Sequence, residues 1–294
     1  MYIDGVFSGG GIKGFALVGA YKAIENKGFR FKRMAGTSAG SIVAALIAAG
    51  YTSDEIFELV DELELEDLLD PRHAIAPFPV ARWLFLYWRL GLYKGNKFEQ
   101  WLESKLADKG VKTFADLEPQ ALRIIASDIT NGRMIVIPDD LRLYGIDPRY
   151  FSVAKAIRMS CSLPYFFEPV KLKNGHFPSV VVDGGVLSNF PMWLFDKENV
   201  KKVRPVLGIK LSHHLNERPK KKVRNAIELF EALFVTMKEA HDSRYISRKH
   251  EKNIIFIPTD GILTTEFDLS DEKKEQLFQL GYNKANQFFS RWGY

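Results

Sequence analysis

The sequence has one cysteine, Cys161, in 294 residues, so an intrachain disulfide is excluded. Stability must come from the core, and a reducing compartment is permitted. Charge of either sign is barely in excess, with a net charge of +5 and a pI near 9.0. That is too weak for a dedicated nucleic-acid binder, and no nucleic-acid partner is expected. It suits mild attraction to anionic surfaces, membranes included. Uncharged apolar runs of the ~18–20 residues a spanning helix needs are missing. The nearest stretch, Phe78 to Tyr93, is interrupted by Arg82 and Arg89. The first residues lack a basic start followed by an apolar core, so no secretory signal is expected. The simplest expectation is a cytoplasmic protein, peripheral to a membrane at most. No internal repeat, low-complexity tract or clean linker divides the chain.

What the chain has is apolar material, 46% of its residues, arranged as alternating strand and helix patterns. Strands are expected at Ile3–Phe7, Phe29–Ala35, Leu122–Ala126, Arg133–Ile137, Val180–Val182, Val206–Lys210 and Ile254–Ile257. Helices are expected at Phe15–Asn26, Ser38–Ala49, Asn96–Lys109 with Asn96 as its cap, Ser152–Met159, Val223–Lys249 and Asp271–Trp292. An acidic helix, DEIFELVDELELEDLL, starts behind Thr52 or Ser53 as its cap. Gly28, Gly50 and Gly110 punctuate helix ends. Alternation of this kind implies an α/β layered fold around a mostly parallel sheet flanked by helices. The expected organisation is one domain over 1–294, with an inserted cap near 71–95.

Two glycine motifs carry the chemistry. The first strand runs into Ser8-Gly9-Gly10-Gly11-Ile12-Lys13-Gly14. From Gly9 this fits G-x-G-x-x-G, the dinucleotide fingerprint, but that fingerprint also needs an acidic residue ending the second strand. Phe29 to Ala35 contains no carboxylate, which weakens the nucleotide reading without excluding it. The second strand ends instead in Gly36-Thr37-Ser38-Ala39-Gly40, which is G-x-S-x-G between a strand and a buried helix. That is the context of a nucleophile elbow. The bland alternative is a tight turn with a capping serine. A serine attacking an ester creates an oxyanion, which needs N–H donors ~2.7–3.1 Å away. The Gly9–Gly11 loop supplies backbone amides free to converge on one point, so the two motifs fit together.

A serine hydroxyl also needs a proton acceptor. Among the six histidines, His213 and His214 follow a strand and are the best placed. Asp183, ending the strand Val180–Val182 and followed by Gly184 and Gly185, is the stronger candidate. A partly desolvated carboxylate has a raised pKa and is able to act as base. A Ser38–Asp183 dyad, a histidine triad in an esterase or acyltransferase, and a non-catalytic nucleotide- or lipid-binding module all remain in play at this point.

Taken in order, GGGIKG at 9–14, GTSAG at 36–40 and DGGVLSNFP at 183–191 resemble the patatin-like phospholipase family. AIRMSCSLPYFFEPV at 156–170 and, more loosely, ASDITNGR at 126–133 extend the resemblance. It covers about 3–211, leaving a C-terminal helical extension over about 222–294 with no motif. The resemblance implies a bacterial-type lipid acyl hydrolase with Ser38 as nucleophile, Asp183 as base and the Gly9, Gly10 and Gly11 amides as oxyanion hole. Lys13, Gly14, Gly36, Gly40, Gly184 and Gly185 support these motifs, Lys13 standing where the family usually has arginine. Neither cofactor nor metal is implied, and the expected partner is a phospholipid or other acyl lipid. The aromatic stretch with Trp83, Phe85, Tyr87 and Trp88 is a candidate lid or lipid-docking segment, or ordinary core. The run Pro219 to Arg224 is a candidate for contact with anionic lipid.

Overall fold

The computed structural model describes residues 1–62, 68–70, 88–173, 177–196, 203–212, 223, 226–246, 251–259 and 269–293. Trp83, Phe85, Tyr87, His213, His214, most of the basic run and most of the expected cap lie outside them.

The N-terminal half follows from local chemistry. Strand β1 (Tyr2–Phe7) is buried from Ile3 onward, and helix α1 (Gly14–Asn26) closes on Gly28, whose φ of 75° suits a residue without Cβ. Strand β2 (Arg30–Thr37) leads into α2 (Ala39–Ala48), whose Ala, Val and Leu side chains are buried against the sheet. Helix α3 (Ser53–Asp61) starts with a capping box. The Thr52 hydroxyl accepts from the Glu55 amide at 3.3 Å, and the Glu55 carboxylate accepts from the Thr52 amide at 2.7 Å. This selects Thr52 over Ser53 as cap.

Next come β3 (Gly91–Tyr93), α4 (Asn96–Asp108), β4 (Leu122–Asp128), β5 (Arg133–Ile137) and α5 (Val153–Ser160). Asn96 is the first helical residue of α4, not its cap. Gly95 holds the cap position with φ 76°, and the Asp70 carboxylate accepts from the amides of Gly95 and Asn96 at 2.5 and 3.0 Å. A carboxylate from a distant loop thus replaces the expected local cap. The chain continues through β6 (Tyr165–Phe167), β7 (Val170–Leu172), β8 (Ser179–Asp183), β9 (Val206–Lys210), α6 (Ala226–Tyr245), β10 (Ile254–Phe256) and α7 (Asp271–Phe289). The short strands β3, β6 and β7 have no sequence signal of their own.

The main sheet has eight strands in the order β10-β9-β1-β2-β4-β8-β7, with β5 also on β4. Pairs from β10 through β4 are parallel, whereas β5, β8 and β7 join antiparallel. Strands β3 and β6 form a separate parallel pair. The C-terminal helix α7 packs directly on α1. Gly19 faces the backbone of Phe278, and Gly281 faces the backbone of Ala16, so a side chain at either glycine would collide with main chain. No described helix is long and apolar enough to cross a membrane.

Candidate active site

The β2–α2 turn places Ser38 with φ 52° and ψ −127°, a left-handed backbone that costs a non-glycine residue about 1–3 kcal/mol. Neighbouring elements hold it there. The Ser38 amide donates to the Ser160 hydroxyl at 2.9 Å, and that hydroxyl donates to the Ile125 carbonyl at 2.6 Å. The Ser41 hydroxyl donates to the Ser38 carbonyl at 2.6 Å, and the Thr37 hydroxyl to the Ser188 carbonyl at 3.0 Å. With both backbone groups of Ser38 engaged, its side chain lines the adjoining cleft, at the start of α2, where the helix dipole favours developing negative charge.

Two glycines make the turn sterically allowed. A Cβ at Gly36 would strike the backbone of Gly40 and Ser41, and one at Gly40 would strike the carbonyls of Phe7 and Ser8. Gly40→Ala is therefore expected to cost at least about 1–3 kcal/mol, read as a lowered Tm with loss of activity. A wild-type Tm in that variant would mean that β1 yields freely.

Asp183 lies level with Ser38, though not for the reason that its position in the sequence suggests. The end of a parallel strand would place it at the carboxyl edge; β8 instead runs antiparallel to β4. Register does the placing: Asp183 pairs with Ala126, one residue beyond Ile125, which pairs with Thr37. Asp183 is buried, and its Oδ1 accepts from the Gly185 amide at 2.7 Å. Burial raises its pKa above the ordinary carboxylate value, opposed by the Gly185 hydrogen bond, the positive charge of Lys238 and the Ser38 hydroxyl. Cys161, also on the cleft wall, has its thiol pKa pushed up by burial, so it behaves as a small neutral side chain.

The first glycine loop abuts this turn. Gly9 packs so closely on Asn189 and Ser38 that a side chain is excluded. Its amide donates to the Asn189 carbonyl at 3.1 Å, leaving it committed to the structure. Gly10 and Gly11 line the cleft beside Ser38, and among the described residues neither amide is taken by a carbonyl. Gly11 has φ 58°, the left-handed region that favours glycine. The set of loop amides able to face an oxyanion thus narrows from three to Gly10 and Gly11.

Around these groups runs a deep cleft of about 1120 Å³ including its open mouth, walled by Phe15, Val43, Phe98, Trp101, Phe166 and Phe167 among others. Among the described residues its charged lining consists of Asp183 and Lys238. Lys238 and Phe234 both come from α6, beyond the motif-bearing region. Burial lowers the Lys238 pKa, opposed by the charges of Asp183 and Asp242. Phe234, Lys238 and Asp242 are spaced i, i+4, i+8, one face of a helix, but the sequence does not reveal which face meets the sheet. Ser160 was equally hidden, its role depending on contacts with β2 and β4. Of the lid candidates, only Trp88 is described, and it is 75% exposed.

A sequence model of the patatin-like phospholipase family matches residues 5–196. The chain is 57% identical over 294 residues to the uncharacterized protein YqhO of Bacillus subtilis, covering all of both chains. It is 25% identical to the probable lipid hydrolase 463L of Invertebrate iridescent virus 6, over 96% of this chain and 87% of that protein. Its fold is similar to that of VipD from Legionella pneumophila, with a TM-score of 0.59 at 18% identity, covering 99% of this chain and 67% of that one. The glycine loop, elbow and Asp-Gly-Gly block all fall within the matched region, and the chain belongs to the patatin-like phospholipase family.

Proposed function

We propose that this protein is a lipid acyl hydrolase of phospholipase A or lysophospholipase type, working through a Ser38–Asp183 dyad and an acyl-serine intermediate. The observation that carries this reading is Ser38 in a left-handed turn, on the same apolar cleft as the buried Asp183. Ser38 Oγ attacks the acyl carbonyl carbon while its proton passes to the Asp183 carboxylate. The amides of Gly10 and Gly11 receive the oxyanion. Collapse expels the alcohol, which takes the proton from Asp183. Water then attacks the acyl-serine with Asp183 again as base, releasing the fatty acid.

A carboxylate suits this role because burial has already raised its proton affinity. The cleft's aromatic and aliphatic wall suits an acyl chain. The buried carboxylate on the same wall as Ser38 is what supports the dyad. The name of the viral relative, a probable lipid hydrolase, supports a lipid substrate. One domain over the whole chain belongs to this reading, since α6 supplies part of the cleft wall. So does contact with a lipid surface through the exposed Trp88, from a cytoplasmic, peripheral location.

A fluorophosphonate probe tests the proposal. Wild-type protein is expected to be labelled and Ser38→Ala spared, with phospholipid and nitrophenyl-ester hydrolysis lost together. Equal labelling of the two proteins would sink the assignment of Ser38.

A further inference from the structure

We propose that Lys238 is the specificity residue of the cleft and binds the phosphate of the substrate, so that the preferred substrate is an acyl lipid bearing a phosphate rather than a neutral glyceride. This rests on the acyl-hydrolase reading of the same cleft. Among the described residues the wall is otherwise apolar or belongs to the proposed catalytic groups, and Lys238 is the cation on it. Lys238 sits one helical turn beyond Phe234, with its Nζ 5.4 Å from the centre of that ring. Phe234 in turn packs toward Gly185, beside the Asp183 carboxylate.

The contrast with Lys210 is informative. The Lys210 ammonium is neutralised by Asp242 in a buried pair. No described carboxylate closes an ion pair on Lys238, although Asp183 and Asp242 both act on it through space. Lys238 is partly buried, and a partly desolvated ammonium without a bonded counter-ion carries a cost. An anion brought by the ligand would offset that cost, whereas a glyceride hydroxyl would not. Phosphate is the anion that an acyl lipid carries near its ester, and lysine binds it as a point charge. The apolar wall would take the chain, leaving Lys238 to choose the headgroup.

The test compares a lysophosphatidic acid with the monoacylglycerol of the same chain, which lacks only the phosphate, both below their micelle concentrations. Wild type, Lys238→Met and Lys238→Arg are assayed on each. The expected result is a fall of about ten-fold or more in the kcat/KM ratio of phosphate lipid to neutral lipid for Lys238→Met, carried by KM and largely restored by Lys238→Arg; a charge-assisted hydrogen bond of ~1.5–3 kcal/mol corresponds to that factor. An unchanged ratio overturns the proposal, whether both activities drop or neither does. A parallel drop would mean that Lys238 acts only through the charge of Asp183. The same two lipids are also titrated calorimetrically into Ser38→Ala and Ser38→Ala/Lys238→Met. Affinity for the phosphate lipid alone should fall about ten-fold with the lysine, and equal affinities overturn the proposal. Should wild type hydrolyse neither lipid, the Ser38 reading fails while these binding measurements still decide the role of Lys238.

Discussion

Asp183→Asn lowers kcat by about 10²–10⁴-fold, the range expected for removal of a general base, and leaves the protein at least as stable as wild type at neutral pH. The two halves of this result have one cause. Burial raises the pKa of Asp183, so the carboxylate is more basic than on the surface and is also an unfavourable charge to bury. For a carboxyl group whose folded pKa lies above its unfolded value, the stabilising contribution is fully present below the unfolded pKa. It is lost as pH rises through the folded pKa. At neutral pH wild type therefore bears this cost and asparagine does not, while the amide oxygen still accepts from the Gly185 N–H. The acid limb of the wild-type kcat/KM profile should accordingly lie above the ordinary aspartate value of ~3.9. Activity falls as pH drops through it. An Asp183→Asn enzyme with near-wild-type turnover would remove the carboxylate from the chemistry. His213→Ala and His214→Ala are expected to stay active; loss in either, with the fold intact, would favour a triad.

The second large effect concerns the fastening of α6. Lys210 at the end of β9 and Asp242 on α6 form an ion pair in which each side chain is 2% exposed. Asp242 also accepts from the Phe190 amide at 3.1 Å, and Lys210 Nζ stands 5.5 Å from the centre of the Phe190 ring. Phe190 belongs to the segment that follows Asp183, so one network joins α6, the sheet and the Asp-Gly-Gly block. Lys210→Met strands a buried carboxylate and should cost about 3–5 kcal/mol, read from denaturant midpoints at constant m-value. Lys210→Met with Asp242→Leu should recover most of that loss, because replacing a whole buried pair by apolar groups is often close to neutral. A single-variant cost within the ~0–1 kcal/mol of an exposed pair would mean that water reaches the site. Phe234 and Lys238 ride on the same helix face as Asp242, so loosening α6 should also blur selectivity in the cleft.

The sequence by itself determined the parts that depend on neighbours along the chain. Glycines at helix ends, a cap at Thr52 or Ser53 and the apolar periods of β1, α2 and β9 are local choices of backbone and burial. So is the elbow, because a sharp strand–turn–helix with small residues on both sides of Ser38 is written within five positions. The three motifs in order were enough to indicate the family and to nominate Ser38 and Asp183. What only the tertiary structure decided are the placements that depend on residues far apart. Asp183 meets Ser38 through antiparallel register, not by ending a parallel strand. Asp70 replaces Asn96 as a cap because a distant carboxylate reaches two helix amides. The Gly9 amide is spent on the Asn189 carbonyl, whereas among the described residues no carbonyl takes the amides of Gly10 and Gly11. Ser160 holds the Ser38 amide from another helix, and Lys238 enters the cleft from α6, in a region without motifs. Each of these rests on a hydrogen bond, a register or a helix face chosen by packing between segments, and such choices leave no periodic trace in the segment that carries the residue.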